Sequence, residues 1–195
     1  MSVREEWQAG VQSEIDFWRS VFGGVQFPDF KHEMMQRLDP SAPVAEHIAQ
    51  YLPTQIPTTE IKILDVAAGP VSCVGWQLNG QRLNITPIDA LAVQYRAILG
   101  EFQLTPPVYT EQCDGENIPE LFAPESFDLV HIRNALDHCY DAVSVMRNML
   151  SVLKHGGVLI VCGHTDEAVF EEYVGLHQWN VLADDGQMII WRPGE

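Results

Sequence analysis

Basic residues are scarce in this chain. Eleven lysines and arginines stand against 27 aspartates and glutamates in 195 residues, a formal charge of −16. A field of that sign repels phosphate backbones and anionic lipid, and no run of Lys and Arg makes a local exception. Nucleic acid and membrane are therefore not expected as partners. Also missing is any apolar run near the ~18 residues of a bilayer-spanning helix. The first ten residues, MSVREEWQAG, mix both charge signs and lack an apolar signal core, so a cytoplasmic location is expected. Four cysteines (Cys73, Cys113, Cys139, Cys162) form no CxxC pair, and seven histidines fall into no HExxH or Cys/His spacing. Reduced, buried thiols and no metal site are the expectation. Low-complexity tracts and internal repeats are absent too. With 46% apolar and 19% charged residues, the composition is that of one globular domain over 1–195.

What is present begins with an amphipathic helix over 2–22. Ser2 and Glu5 have the spacing of a capping box, Gly23-Gly24 supplies a stop, and Trp7, Val11, Ile15, Trp18 and Phe22 share one face. Residues 25–42 read as irregular, broken by Pro28, Pro40 and Pro43. A short helix is expected from Pro43 to Tyr51, followed by a linker, LPTQIPTTE. From residue 61 strands alternate with helices. IKILDV and LNITPID run to Asp65 and Asp89, PPVYTEQCD holds a third strand before Asp114, and SFDLVHIR and GVLIVCG are the fourth and fifth. Helices are expected over Leu91–Gly100, Tyr140–Lys154 and Asp166–Gly175. HQWNVLADDGQMIIW then reads as a hairpin about Asp184-Asp185-Gly186. The fold class is α/β: a doubly wound, mostly parallel sheet with an antiparallel C-terminal hairpin, covered on both faces as a three-layer sandwich.

Three acids thus stand at strand ends: Asp65, Asp89 and Asp114. In a doubly wound sheet these ends line one crevice, and an acid about 20 residues past the first turn meets a ribose diol there. Asp89 lies 24 residues beyond Asp65. An alternative role for Asp89 is to cap the helix that follows it.

At these residues the chain resembles the class I S-adenosylmethionine-dependent methyltransferases. ILDVAAGPVS is similar to the family's first signature, ITPIDA to its ribose-binding strand end, and CDGENIP to the segment bracketing the adenine. FDLVHIRNALDH resembles the fourth strand and active-site loop, and LSVLKHGGVLIV the elements after it. The resemblance runs in order from Ile61 to Gly163 and implies seven strands, the last two being the hairpin. It further implies that S-adenosyl-L-methionine is the methyl donor and S-adenosyl-L-homocysteine the product. Asp65 would anchor the first turn or receive the donor's ammonium through a water. Ala67 and Gly69 would form that turn, where a Cβ is a hindrance. Val71 departs from the family's glycine pattern, and Pro70 would pre-set the turn for a following helix. Asp89 and Ala90 would hold the ribose, Asp114 and the Gly115 amide the adenine edge, and Asn134 and Ala135 would lie beneath the sulfur.

Methyl transfer from a sulfonium is an in-line displacement, so the protein supplies mainly position, and a base only for a protonated acceptor. Asp137, His138 and His164 are the ionisable candidates in the loops after the fourth and fifth strands, with helix capping and plain solvation as the alternatives. GLHQWN adds a polar-aromatic cluster at His177 to Trp179. By resemblance, residues 1–58 form a helical lid over the core of 59–195. Trp7, Phe17, Trp18, His138 and the segment Phe27 to Leu38 would then shape the acceptor pocket. So small a roof suits a small molecule or a peptide side chain, neutral or cationic. Two other readings stand beside this one. A non-catalytic, nucleotide-binding regulatory protein would keep the fold, with Val71 as its support. An NAD-dependent oxidoreductase would want GxGxxG and a Tyr-x-x-x-Lys pair, neither of which occurs. Nothing in the sequence fixes the oligomeric state.

Overall fold

The structure is a computed structural model that describes residues 3–52, 57 and 60–194. Ser2, half of the expected capping box, and most of the expected linker lie outside the described residues.

Helix α1 (Val3–Gly23) buries Trp7, Val11, Trp18 and Phe22, four of the five residues that periodicity placed on one face; Ile15 packs beside them. Helix α2 (Pro28–Arg37) occupies a stretch read as irregular. Pro28, taken for a breaker, sits in the helix's first turn, where its missing N–H costs nothing. Helix α3 (Glu46–Ala49) is shorter than expected, because Val44 N and Ala45 N donate to Gln77 O and Val74 O and hold the chain extended.

Strand β1 (Lys62–Val66) leads into a turn but not into the expected helix. A two-residue hairpin follows, β2 (Gln77–Leu78) and β3 (Gln81–Arg82). Asn79 and Gly80 between them have φ of 52° and 77°, the left-handed pair that an Asn-Gly hairpin turn requires. Then come β4 (Asn84–Asp89), α4 (Ala92–Glu101), β5 (Glu111–Gln112), α5 (Ile118–Leu121), β6 (Phe127–Arg133) and α6 (Ala142–Val152). Asp141 caps α6, its Oδ1 accepting from Ser144 N at 2.9 Å. Strand β7 (Leu153–Cys162) starts where α6 ends, with a register shift against β6 between Phe127 and Leu129. The helix expected over Asp166–Gly175 shrinks to one turn, α7 (Glu167–Phe170), since Glu172 and Tyr173 turn to positive φ. Strands β8 (Asn180–Asp184) and β9 (Gln187–Trp191) close the chain.

The central sheet is parallel throughout its pairings, in the order β5-β4-β1-β6-β7. This matches the first five strands of the doubly wound 3-2-1-4-5-6 order, whose switch point lies between β1 and β6. Expectation and structure part at the count, five strands instead of seven. The hairpin β8-β9 forms a separate pair. Its Val181 and Ile190 pack on the core through side chains, and Trp191 Nε1 donates to Asp166 Oδ1 at 3.0 Å.

Alternation along the strands makes two cores. Ile63, Leu129 and Ile160 face α1 and α4; Leu64, Val66, Val130 and Ile132 face α6 and the hairpin. The result is three layers. Each fully buried Leu or Ile contributes about 1.5–3 kcal/mol relative to exposure. Among the described residues, no helix is long and apolar enough to cross a membrane.

Candidate functional site

The ends of β1, β4 and β6 open into a cavity of about 580 Å³, within the ~300–1,000 Å³ typical of small-molecule sites. Its first wall is built from turns. Asp65, at 1% exposure, takes Ser72 Oγ on one oxygen at 2.6 Å and His131 Nδ1 on the other at 2.7 Å. Ser72 Oγ in turn accepts from Val74 N, so Asp65 anchors the loop after β1. That loop passes Ala67 (φ 50°) and Gly69 (φ 65°), both lining the cavity. A Cβ on Gly69 would stand 3.2 Å from the Trp18 ring, so glycine serves both the conformation and the close approach. Val71 is fully buried in the core and does not line the cavity, so its bulk is spent on packing.

Asp89 is 7% exposed; its two oxygens accept from Gly69 N (3.0 Å) and Leu91 N (2.8 Å), and among the described residues no cation is bonded to it. Burial pushes its carboxyl up to about 7, against the pull of those two amides. The bond to Leu91 starts the turn into α4, so part of the alternative capping role is real. One lone pair on each oxygen is left for a ligand.

Ala90 and the pair Cys113 and Gly115 continue the wall, with Glu116 beside them. Burial raises the Glu116 carboxyl to about 6. Asp114 is a different matter. Its carboxylate turns to Arg4 (3.5 Å) and Tyr140 (3.4 Å) and does not line the cavity, although both neighbours do. Asn134 and Ala135, just past β6, line the floor. Asn134 holds φ 49° while its N–H donates to Cys162 O at 2.8 Å.

The opposite wall is made of side chains from three distant segments. The residues Leu136–His138 form a short 3₁₀ turn. His138 lines the cavity with Nε2 3.1 Å from His177 Nδ1, and His177 Nδ1 lies 2.7 Å from Asp137 Oδ2. Asp137 itself is buried behind the wall. Burial opposes charge on His177, but the hydrogen bond and charge of Asp137, with Glu167 and Glu171, outweigh it and raise its proton affinity. From α1, Trp7 Nε1 donates to His138 O at 2.8 Å, and Glu14 Oε2 lies 3.9 Å from His138 Nδ1. Glu14 Oε1 accepts from Trp18 Nε1 at 2.7 Å. Trp7, Trp18, Phe17, Phe27 and Phe30 all line the cavity. His164 is exposed and outside it.

The structure therefore brings together Asp65, Ala67, Gly69, Asp89, Ala90, Gly115, Asn134, Ala135, Trp7, Trp18 and His138, and leaves Asp114, Asp137 and His164 off the lining. Glu14, Glu116 and Glu167 were missed by sequence reasoning, since an acid on a helix face carries no signal of its own. Six carboxylates on the lining (Glu14, Asp65, Asp89, Glu116, Glu167, Glu171) face two guanidiniums, Arg37 and Arg133. By formal charge the lining is acidic.

Residues 96–186 match a family described as a methyltransferase domain. The match begins inside α4 and leaves out β1, its turn and Asp89. No curated protein sequence matches the chain. Among solved structures, the chain is similar to the YcgJ protein of Bacillus subtilis at 21% identity, over 65% of this chain and 53% of that one, with a TM-score of 0.44. It is also similar to the trans-methyltransferase CalH solved with SAH (17% identity, 61% and 36% coverage, TM-score 0.45). A third similar structure is the [4+2]-cyclase SpnF (18%, 63% and 52%, TM-score 0.37). The chain spans about half or less of the length of these three proteins.

Proposed function

We propose that this chain, which over residues 96–186 matches a family described as a methyltransferase domain, transfers a methyl group from S-adenosyl-L-methionine to a small-molecule or peptide side-chain acceptor. The observation that carries the reading is one cavity at the switch point of the sheet, where Asp89 is buried with no bonded cation, Gly69 leaves room, and six carboxylates face two guanidiniums.

These residues fit that donor. A carboxylate with one free lone pair on each oxygen accepts from two adjacent hydroxyls, which gives Asp89 the ribose diol. Asp65, engaged by Ser72 and His131, holds the turn in place. Gly115, with Glu116 beside it, borders the adenine end, and Asp114 ties that turn to Arg4 and Tyr140. Asn134 and Ala135 lie under the reactive centre. The acidic lining favours a cationic donor over an anionic nucleotide, which separates this reading from a nicotinamide enzyme.

When bound, the donor supplies an electrophilic methyl whose bond to sulfur breaks as the bond to the acceptor forms, the electron pair passing to sulfur. The acceptor's proton goes to His138. Its Nδ1 accepts when Nε2 carries the ring's own proton, toward Asp137 Oδ2 at 3.5 Å, and Glu14 Oε2 lies 3.9 Å from Nδ1. In this reading helix α1 serves as the lid, since Trp7, Glu14, Phe17 and Trp18 line the cavity from its side.

Calorimetry with S-adenosyl-L-methionine, S-adenosyl-L-homocysteine and NAD tests the donor. One molar equivalent of each of the first two, and no NAD, is the expected result. NAD binding, or no binding of either donor form, overturns the proposal. A screen of neutral and cationic acceptors with a methyl-labelled donor tests turnover; binding with no acceptor found would favour the regulatory reading.

A further inference from the structure

Below the cavity floor lies a group of side chains that the proposed reaction does not use. His131, on β6, is fully buried; Asp65 engages its Nδ1 at 2.7 Å, and its Nε2 has no hydrogen-bond partner among the described residues. His47, on α3, has a buried Nε2 in the same condition, and the two ring centroids are 5.9 Å apart. Cys162, the last residue of β7, joins them. One ligand atom from each of His47, His131 and Cys162 lies within 4.8 Å of the others.

An unpaired nitrogen buried in a protein loses its water and gains nothing. Two of them converging on a thiol is an arrangement that apolar residues of the same shape would avoid. We propose that His47, His131 and Cys162 bind one divalent transition-metal ion, with zinc the best match, and that the ion fastens α3 to the parallel sheet. Two imidazoles and a thiolate suit zinc, and three protein donors leave a fourth position of the tetrahedron open. Asp65 completes the arrangement from behind, because a carboxylate on the far nitrogen of a ligating histidine fixes the ring and raises its basicity. Donors in a tetrahedral zinc site sit about 3.4–3.6 Å apart, so the three must close by roughly 1 Å. His47 has the freedom for this on a helix of four residues. Arg133 is an adverse charge nearby, offset in part by Glu33 at 3.6 Å. On binding, the Cys162 proton passes to solvent and the thiolate takes the metal.

The expectation of no metal rested on spacing within the sequence. These ligands are separated by 84 and 31 residues, distances no short motif records. Parallel pairing is what aligns two of them, since His131 and Cys162 lie on neighbouring strands, and the His47 ring packs 5.9 Å from that of His131.

The test uses the whole chain, stripped with a chelator and titrated with zinc, with metal content and melting temperature read alongside. One zinc per chain and a higher melting temperature are expected. His47→Ala and Cys162→Ser should each bind at least ~10-fold more weakly. His155→Ala, whose side chain is 96% exposed, should bind as the unaltered chain does. Cobalt substitution adds a signature: the thiolate-to-metal absorption band should appear in the unaltered chain and vanish in Cys162→Ser. Should Cys162→Ser fail to fold by circular dichroism, the half-buried His47→Ala decides. No stoichiometric zinc on the folded chain, or zinc held by either folded ligand variant as tightly as by the unaltered chain, overturns the proposal. The readout is metal, so either result leaves the donor-site reading standing.

Discussion

The two walls of the cavity are built on opposite plans. The turn wall holds its acid alone: Asp89 has two backbone amides for company and no cation, and burial has pushed it up to about 7. The histidine wall holds its acid in company: Asp137 is buried against His177 and His138, and the effect appears as a raised His177. A buried charge that the protein leaves uncompensated is an opening for a ligand, whereas a compensated one is a device for holding a side chain in place. On the proposed function, the turn wall is the one that binds and the histidine wall the one that acts.

The largest effect expected from this contrast is on the acting side. His138→Ala should lower the rate of methyl transfer by ~10²- to 10⁴-fold, the usual share of a general base. Affinity for S-adenosyl-L-homocysteine should stay within about twofold, since the variant leaves the turn wall intact. Single-turnover rates and calorimetry check the pair. Equal losses in both measurements would erase the distinction between the walls.

Next in size is the pH dependence of stability. Asp89 rises from 3.8 to about 7, Glu116 from 4.5 to about 6, and Glu167 also rises, in each case chiefly through burial. Between about pH 4 and 7 the folded chain therefore holds more protons than the unfolded one, and stability falls as pH rises through that window. His177, raised by Asp137, has the same sign: its contribution is full below 6.5 and is lost as pH climbs past its folded value. His47, lowered by burial, works in the opposite direction. Asp89 alone accounts for something on the order of 4 kcal/mol across the window. Thermal melts of the ligand-free chain should show lower stability at pH 8 than at pH 5, with a shallower slope in Asp89→Asn. A flat or rising profile would mean that the turn wall's charge is compensated after all.

Smaller again is the binding loss from Asp89→Ala, about 1–3 kcal/mol for S-adenosyl-L-homocysteine, from charge-assisted bonds to the ribose and from the two amides set free. Calorimetry reads it directly. An unchanged dissociation constant removes Asp89 from the donor site.

The contrast also explains what could be read before folding. Asp65, Gly69 and Asp89 belong to strand ends and the turn after one, and such signals are local in sequence. Asp114 was placed by the same logic, but β5 has only two residues, and its carboxylate is drawn away by Arg4, 110 positions earlier. His138 and His177 are 39 positions apart, and Glu14 reaches them from α1. No periodicity encodes such a meeting, so the histidine wall was seen only as scattered candidates. Asn79-Gly80 carries a hairpin signal of its own, and it folds as one where Pro70 had suggested only a turn into a helix. The separation of β8-β9 from the sheet rests on side-chain packing that a turn signal does not specify.

The smallest predicted effect tests how the acting wall is joined to α1. Trp7 Nε1 donates to His138 O at 2.8 Å, and its ring meets Tyr140 edge-on at 5.8 Å. Trp7→Phe keeps the aromatic packing and removes the Trp7 Nε1 hydrogen bond to His138 O, a net change of ~1 kcal/mol. If α1 serves to set the position of His138, transfer should slow by a factor of about five while donor affinity holds. If α1 serves only to cover the donor, the loss should appear in affinity and leave the rate on saturated enzyme unchanged. The split between rate and affinity thus decides whether the first helix belongs to the acting wall or merely roofs the binding one.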